Sequence, residues 1–293
     1  MSLQDEMLGC AREAGGALRT REHRERICRE FCGFLRERNI QTRHIQHVKA
    51  RQIQDYIQYQ QSRGLGKRTL QNTLAALRTT LTTAGREKFA GHRDLSNASL
   101  GLSGASRDGT HEAVPDDLYA QAYEKVRQED PGAAVVMALQ RALGLRALEA
   151  LRPQADTLKR WEREALIKGA IHVIEGTKGG RPRAQTVIDA DRALAAIREA
   201  RQVLRQTGRQ YLVEGESKTL KSAYHRYQNV TRTAGLKGKY ASHGLRYAWA
   251  RDAMQYYPAQ GYSVREARAK VAQDLGHGDG RGRYVTQVYY GKT

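Results

Sequence analysis

The sequence predicts a mainly α protein in two domains, the second carrying one small antiparallel sheet. Three observations predict it. Apolar residues recur at helical spacing along most of the chain, one stretch shifts to short β-branched runs about a glycine-bearing turn, and a Ser/Gly/Asp-rich segment without periodicity separates two helical blocks. At 293 residues the chain can bury two cores of ordinary size.

In the first block, REHRERICREFCGFLRERNI sets Ile27, Phe31, Phe34 and Leu35 on one helical face. HVKARQIQDYIQYQQSRG repeats the pattern with Val48, Ile53, Tyr56 and Ile57, and Gly64 stands just past its end, where helices commonly stop. A third helix, KRTLQNTLAALRTTLTTAG, aligns Leu70, Leu74, Leu77 and Leu81 and finishes near Gly85. Residues 1–91 therefore read as a helical domain. Lys67, Arg68 and Thr69 gather at the start of the third helix, where unpaired amides attract phosphate. They are candidate phosphate contacts; the alternatives are ordinary exposed cations for Lys67 and Arg68, and a capping role for Thr69.

Residues 92–114 read as a linker. After Pro115 helical spacing resumes in LYAQAYEKV and in GAAVVMALQRALGLRALEALR. IHVIEG and AQTVID, joined through TKGGRPR, then read as a hairpin, and helical text returns in DRALAAIREARQVLRQ and most of the remaining chain. The second domain is read as 115–293.

Lys and Arg number 50 against 31 Asp and Glu, a formal charge of +19 and a pI near 10.1. The excess is placed: residues 201–250 hold ten basic and two acidic side chains, whereas residues 101–150 hold five and eight. Such a balance favours a polyanionic partner through counterion release, with nucleic acid first. Three Phe and no stacking signature speak against the usual single-strand RNA modules. No run of 18 apolar residues occurs, and MSLQDEMLGCAREAGGALRT has no apolar signal-peptide core. The expectation is a cytoplasmic, nucleoid-associated protein with no membrane partner. Cys10, Cys28 and Cys32 make no disulfide framework. Cys28 and Cys32 share a helical face and read as core, because no further Cys or His pair occurs at zinc spacing.

Several polar residues lie in apolar or tightly turned surroundings. Arg146 sits among Leu143, Leu145, Leu148 and Leu151, where a cation needs an anion, and Glu149 is the local candidate. SHGLRYAWARDAM puts His243 and Arg246 one turn apart on one face, with Ser242 as the expected cap. Parallel guanidinium donors and an imidazole that can donate or accept suit one phosphate. Lys178, Arg181 and Arg183 share a turn with Gly179 and Gly180, which permits close approach to a DNA backbone.

Taken in order, GLRALEAL, TKGGRPR, HGLR, LGH and a late tyrosine resemble the tyrosine recombinases, or phage-type integrases, from about residue 20 onward. The resemblance implies a helical core-binding domain and then a catalytic domain, acting on double-stranded DNA as a tetramer on paired sites. It implies cutting and rejoining through a 3′-phosphotyrosyl intermediate without metal, ATP or other cofactor. By the same resemblance Arg146 and Arg246 clamp the phosphate, Lys178 protonates the departing 5′ oxygen, His243 is the acid–base histidine, His277 contacts the scissile phosphate and Glu149 supports the site. Thr286-Gln-Val-Tyr289 echoes the family's closing motif and favours Tyr289 as nucleophile, with Tyr290 and then Tyr284 as alternatives. Two features depart from the pattern. The interval from His277 to Tyr289 is longer than usual, the excess being GDGRGR, and only GKT comes after Tyr290, so the tail that relatives pass to a neighbouring subunit is expected to be missing or very short. Type IB topoisomerase activity and a catalytically inactive DNA-binding accessory role are the rival readings of the same residues.

Overall fold

A computed structural model describes residues 2–106, 109–278 and 280–290. Arg107 and Asp108 of the expected linker, Asp279 of the glycine-rich loop and the closing GKT lie outside the described residues. The chain divides into two compact units, Met1–Ser106 and Arg107–Thr293.

The first unit contains α1 (Leu3–Glu13), α2 (Leu18–Glu37), α3 (Ala50–Ser62), α4 (Lys67–Thr83) and α5 (Glu87–Ala90). The apolar stripes of α2, α3 and α4 meet in one core, where Phe31 and Phe34 face Tyr56 edge-on at 5.4 and 5.2 Å. Gly64, past the end of α3, has φ +81°, the left-handed conformation that suits glycine there. The sequence reading has no helix before residue 20; the structure adds α1, started by a Ser2–Asp5 capping box and burying Leu3, Met7, Leu8 and Ala11. Cys28 and Cys32 lie inside this core, 3.5 Å from Thr80 Oγ1 and 3.6 Å from Met7 Sδ, and burial pushes their thiols up to about 11 and about 12. Leu95 and Leu102 are fully buried in the same core. The segment expected to be a linker therefore packs against the first unit as far as residue 102; its polar text conceals two apolar anchors too far apart to show a period.

The second unit runs α6 (Asp116–Glu129), α7 (Pro131–Leu143), α8 (Ala147–Leu151), α9 (Ala155–Lys168), β1 (Ala170–Val173), β2 (Arg183–Thr186), α10 (Ala190–Thr207), α11 (Leu220–Thr233), α12 (Gly244–Ala259), α13 (Val264–Asp274) and α14 (Gly282–Val285). The strands pair antiparallel, with Ala170 opposite Thr186 and Val173 opposite Arg183. Trp161 and Trp249 are among the largest fully buried side chains.

One difference from the sequence reading shapes the site. The helical run from Gly132 to Arg152 is broken after Leu143, because Gly144 turns left-handed at φ +60° and a Cβ there would lie 2.6 Å from the Trp249 indole. Arg146 consequently sits at the N-cap of α8, outside any helix interior. Two expected caps also shift. Ser242 is buried and accepts from Gln228 Nε2 at 3.1 Å while His243 holds the N-cap of α12, and Thr69 lies inside α4, whose N-cap is Gly66.

Candidate active site

The start of α8, the β1–β2 turn, the start of α12, the turn after α13 and the closing turn line one cavity of about 1050 Å³. Arg146, Lys178, Arg181, His243, His277 and Tyr289 all contribute to its wall. Arg246 lies beneath it, fully buried on the first turn of α12.

A single carboxylate organises the cations. Glu149 is fully buried, accepts the Arg146 backbone N–H at 2.8 Å and Arg146 Nη1 at 2.7 Å, and takes both arms of Arg183 at 2.8 Å. Burial alone would raise its pKa, but the Arg183 hydrogen bonds and the charges of Arg183, Arg246 and Arg146 outweigh that and hold it at about 2. The second organiser is a backbone oxygen. The Leu275 carbonyl, just beyond α13, accepts Arg146 Nη2 at 3.2 Å and also Arg246 Nη2, so two arginines a hundred residues apart in sequence end on one atom. Arg246 Nη1 donates to the Gly144 carbonyl at 2.5 Å, which is why the left-handed break matters to the site.

Arg246 Nε then donates to the Tyr289 hydroxyl at 3.2 Å, and His277 Nε2 is 3.0 Å from the same oxygen. Tyr289 is 5% exposed and packs on Tyr247 with ring centres 4.4 Å apart. Its neighbour goes elsewhere: residues 286–290 form a π-helical turn, and Tyr290 donates its hydroxyl to the Ala250 carbonyl, with burial raising its pKa. Tyr284 is 38% exposed and lies against His277, ring centres 4.8 Å apart.

Both histidines are held neutral. Burial, then Arg246, His111 and Arg146, pushes His243 down to about 3; burial, then Arg246, Arg146, Arg183 and Lys178, does the same to His277. Lys178 and Arg181 are exposed on the cavity rim. Arg183, expected beside them as a DNA contact, is turned inward: its side chain is 7% exposed, bound to Glu149 and to the Asp274 carbonyl at 2.6 Å. As the first residue of β2 it faces α8 and α13, and the buried carboxylate claims it. In the first unit, Lys67, Arg68 and Thr69 are exposed at the start of α4, with Lys67 Nζ 3.5 Å from the Ser103 carbonyl and Arg68 Nη2 3.3 Å from that of Ser106.

The sequence model of the family described as Integrase matches residues 101–252, and that described as Phage integrase, N-terminal matches residues 1–90. The chain belongs to the phage integrase family of tyrosine recombinases. Among solved structures this integrase is similar to the Tn1549 transposon integrase in complex with transposon right end DNA, at a TM-score of 0.65 and 12% identity, over 100% of this chain and 96% of that one. It is also similar to a lambda integrase tetramer bound to a Holliday junction, at a TM-score of 0.60 and 14% identity, over 97% of this chain and 76% of that one. At these identities the likeness is one of fold. No curated protein matches the chain in sequence. The Integrase match stops before His277 and Tyr289, so their place on the cavity wall is a finding of the tertiary structure.

Two residues of this integrase escaped the sequence reading. Asp274 is buried and accepts from Thr186 N–H at 3.2 Å, Thr186 Oγ1 at 3.0 Å and the Tyr257 hydroxyl, tying the end of α13 to β2. Its position at the end of an amphipathic helix carried no signal. His111 sets its ring 5.4 Å from that of His243, and nothing in its Ser/Gly-rich surroundings marked it.

Proposed function

We propose that this chain is a site-specific recombinase that cuts and rejoins double-stranded DNA through a covalent bond between Tyr289 and a 3′ phosphate. One observation carries the proposal: the Tyr289 hydroxyl is shared by Arg246 Nε and His277 Nε2 on the wall of a basic cavity that also presents Arg146, Lys178 and His243. In this reading the phenol oxygen attacks the phosphorus, the bond to the 5′ oxygen breaks, and that oxygen leaves with a proton from Lys178. Arg146 and Arg246 donate to the non-bridging oxygens as charge grows on the pentacoordinate phosphorus. A phenol ordinarily holds its proton to about pH 10, so an acceptor is needed. We assign that role to the neutral imidazole of His243, and the hold on phenol and phosphate to His277. The released 5′ hydroxyl attacks the phosphotyrosyl bond in reverse, so bond energy is conserved and no ATP or metal enters the scheme.

The lambda integrase tetramer on a Holliday junction and the Tn1549 integrase on transposon end DNA support the same partner and assembly here: duplex DNA and a tetramer on paired sites. The exposed Lys67, Arg68, Thr69 and Arg181 are proposed as backbone contacts. The test is a suicide duplex that traps the covalent adduct, with mass spectrometry of the modified peptide, in buffer with EDTA. An adduct on Tyr289, abolished by Tyr289→Phe with DNA binding retained, is the expected result; an adduct that survives this substitution moves the nucleophile to another tyrosine.

A further inference from the structure

The turn that carries Tyr289 is reached through GHGDGRGR, whose glycines give it little local guidance. The guidance comes from a different segment. Glu112 N–H donates to the Lys239 carbonyl at 2.8 Å, Val114 N–H donates to the Gly244 carbonyl at 3.2 Å, and the Glu112 carboxylate pairs with Lys239 Nζ at 3.0 Å. These bonds tie residues 112–114 to the turn before α12 and to its first residue. At the other end Gly109 is pressed against the closing turn: a Cβ there would lie 2.0 Å from the Val288 carbonyl oxygen and 2.9 Å from the Tyr247 hydroxyl. The backbone of Gly109 is not left-handed, so space alone demands glycine. Between the two ends, the His111 ring meets His243 edge-on at 5.4 Å and Tyr247 at 6.0 Å, and its buried Nδ1 has no hydrogen-bond partner among the described residues. Tyr247 in turn packs on Tyr289.

We propose that residues 109–114 form a positioning strap, in which Gly109 registers the Tyr289 turn and His111 orients His243, so that the nucleophile and the imidazole are set by one segment anchored on α12. Gly109 and His111 are positioning residues: they act through Val288, Tyr247 and His243 and touch no reacting atom. The inference rests on the proposed role of Tyr289, and its test separates the two.

The test compares the full-length chain with Gly109→Ala, and with Gly33→Ala as a control, since a Cβ at Gly33 in α2 meets nothing within 4 Å. Two quantities are read: hydrogen exchange of the peptide spanning residues 285–290 without DNA, and the single-turnover rate of adduct formation beside the DNA dissociation constant. If the strap registers the turn, Gly109→Ala speeds exchange of that peptide by about tenfold and slows adduct formation by about a hundredfold, as displacements near 1 Å do, while DNA binding stays within about twofold. His111→Ala is the second variant should Gly109→Ala not fold; it slows adduct formation through His243, and His111→Asn, which restores a polar side chain of similar reach, recovers part of the rate. A change in exchange without a change in rate, or the reverse, overturns the strap. If the unsubstituted protein forms no adduct, the reading of Tyr289 fails by itself, and unchanged exchange in Gly109→Ala then overturns the strap independently.

Discussion

Arg183 grips Glu149 with both arms, each at 2.8 Å, although the two residues lie 34 positions apart, and both side chains are buried. This pair is the keel of the cavity, because the same carboxylate also holds Arg146 and stands 3.9 Å from Arg246. Removing the carboxylate with Glu149→Ala leaves buried guanidinium charge uncompensated, and the expected loss of stability is about 3–5 kcal/mol. Denaturant unfolding of the variant, with an unchanged slope, is the check. A loss below about 1 kcal/mol means the cations relax into solvent and the keel is not structural.

The adjacent tyrosines should separate cleanly. Tyr290→Phe deletes a hydrogen bond to the Ala250 carbonyl, costs about 1 kcal/mol in unfolding experiments and leaves covalent trapping on a suicide duplex intact. Loss of trapping in Tyr290→Phe at normal DNA affinity contradicts the assignment of Tyr289.

Acid should destabilise the protein in two stages. His243 and His277, held at about 3 in the folded chain, stay neutral while the unfolded chain protonates both below the ordinary 6.5. The unfolded state therefore binds more protons from 6.5 down to about 3, and stability falls as pH drops through that window. Glu149, at about 2 instead of the ordinary 4.5, adds a loss of the same sign from 4.5 downward. Thermal midpoints measured from about pH 8 to about pH 4 should be flat at first and then decline, and the His243→Gln, His277→Gln double variant should flatten the stretch above 4.5. Adduct formation should show no histidine titration between about pH 5 and 8; a rate step centred near 6.5 would falsify the neutral-imidazole arrangement.

Lys67 and Arg68 offer a test of the first unit. Each phosphate contact removed lowers the slope of log affinity against log salt by roughly 0.9 on duplex DNA. Lys67→Ala and Arg68→Ala should therefore each weaken binding and flatten the salt dependence by that amount. Weaker binding with an unaltered slope means the two side chains serve the Ser103 and Ser106 carbonyls and not phosphate.

The break at Gly144 predicts a coupled effect on fold and site. Gly144→Ala meets both a left-handed φ and the Trp249 ring, so about 1–3 kcal/mol of stability should go. Because the Gly144 carbonyl anchors Arg246, adduct formation should fall as well.

The helices of residues 20–90 and the hairpin strands were legible because their periodicity is local: a 3.6-residue stripe or an alternating run is written in neighbouring residues. The same local code missed α1, where a short amphipathic stretch lies ahead of a polar helix, and misplaced the end of α7, where a distant tryptophan forces the turn. Arg146, His243, Arg246, His277 and Tyr289 could be picked out from motif order. His111, Asp274 and the inward turn of Arg183 could not, since each depends on what another element brings alongside.

By itself the amino-acid sequence determined the two helical blocks, the β-hairpin within the second, the basic charge and the ordered set of arginine, lysine, histidine and tyrosine motifs. Only the tertiary structure decided that Arg146 and Arg246 share the Leu275 carbonyl, that Arg183 serves Glu149 instead of solvent, and that Tyr289 faces the cavity while Tyr290 faces α12. The reason is physical. Residue type and spacing specify which groups a chain can bury, but the partner that satisfies a buried charge or hydroxyl comes from a remote segment, and its arrival is settled by packing of the whole unit.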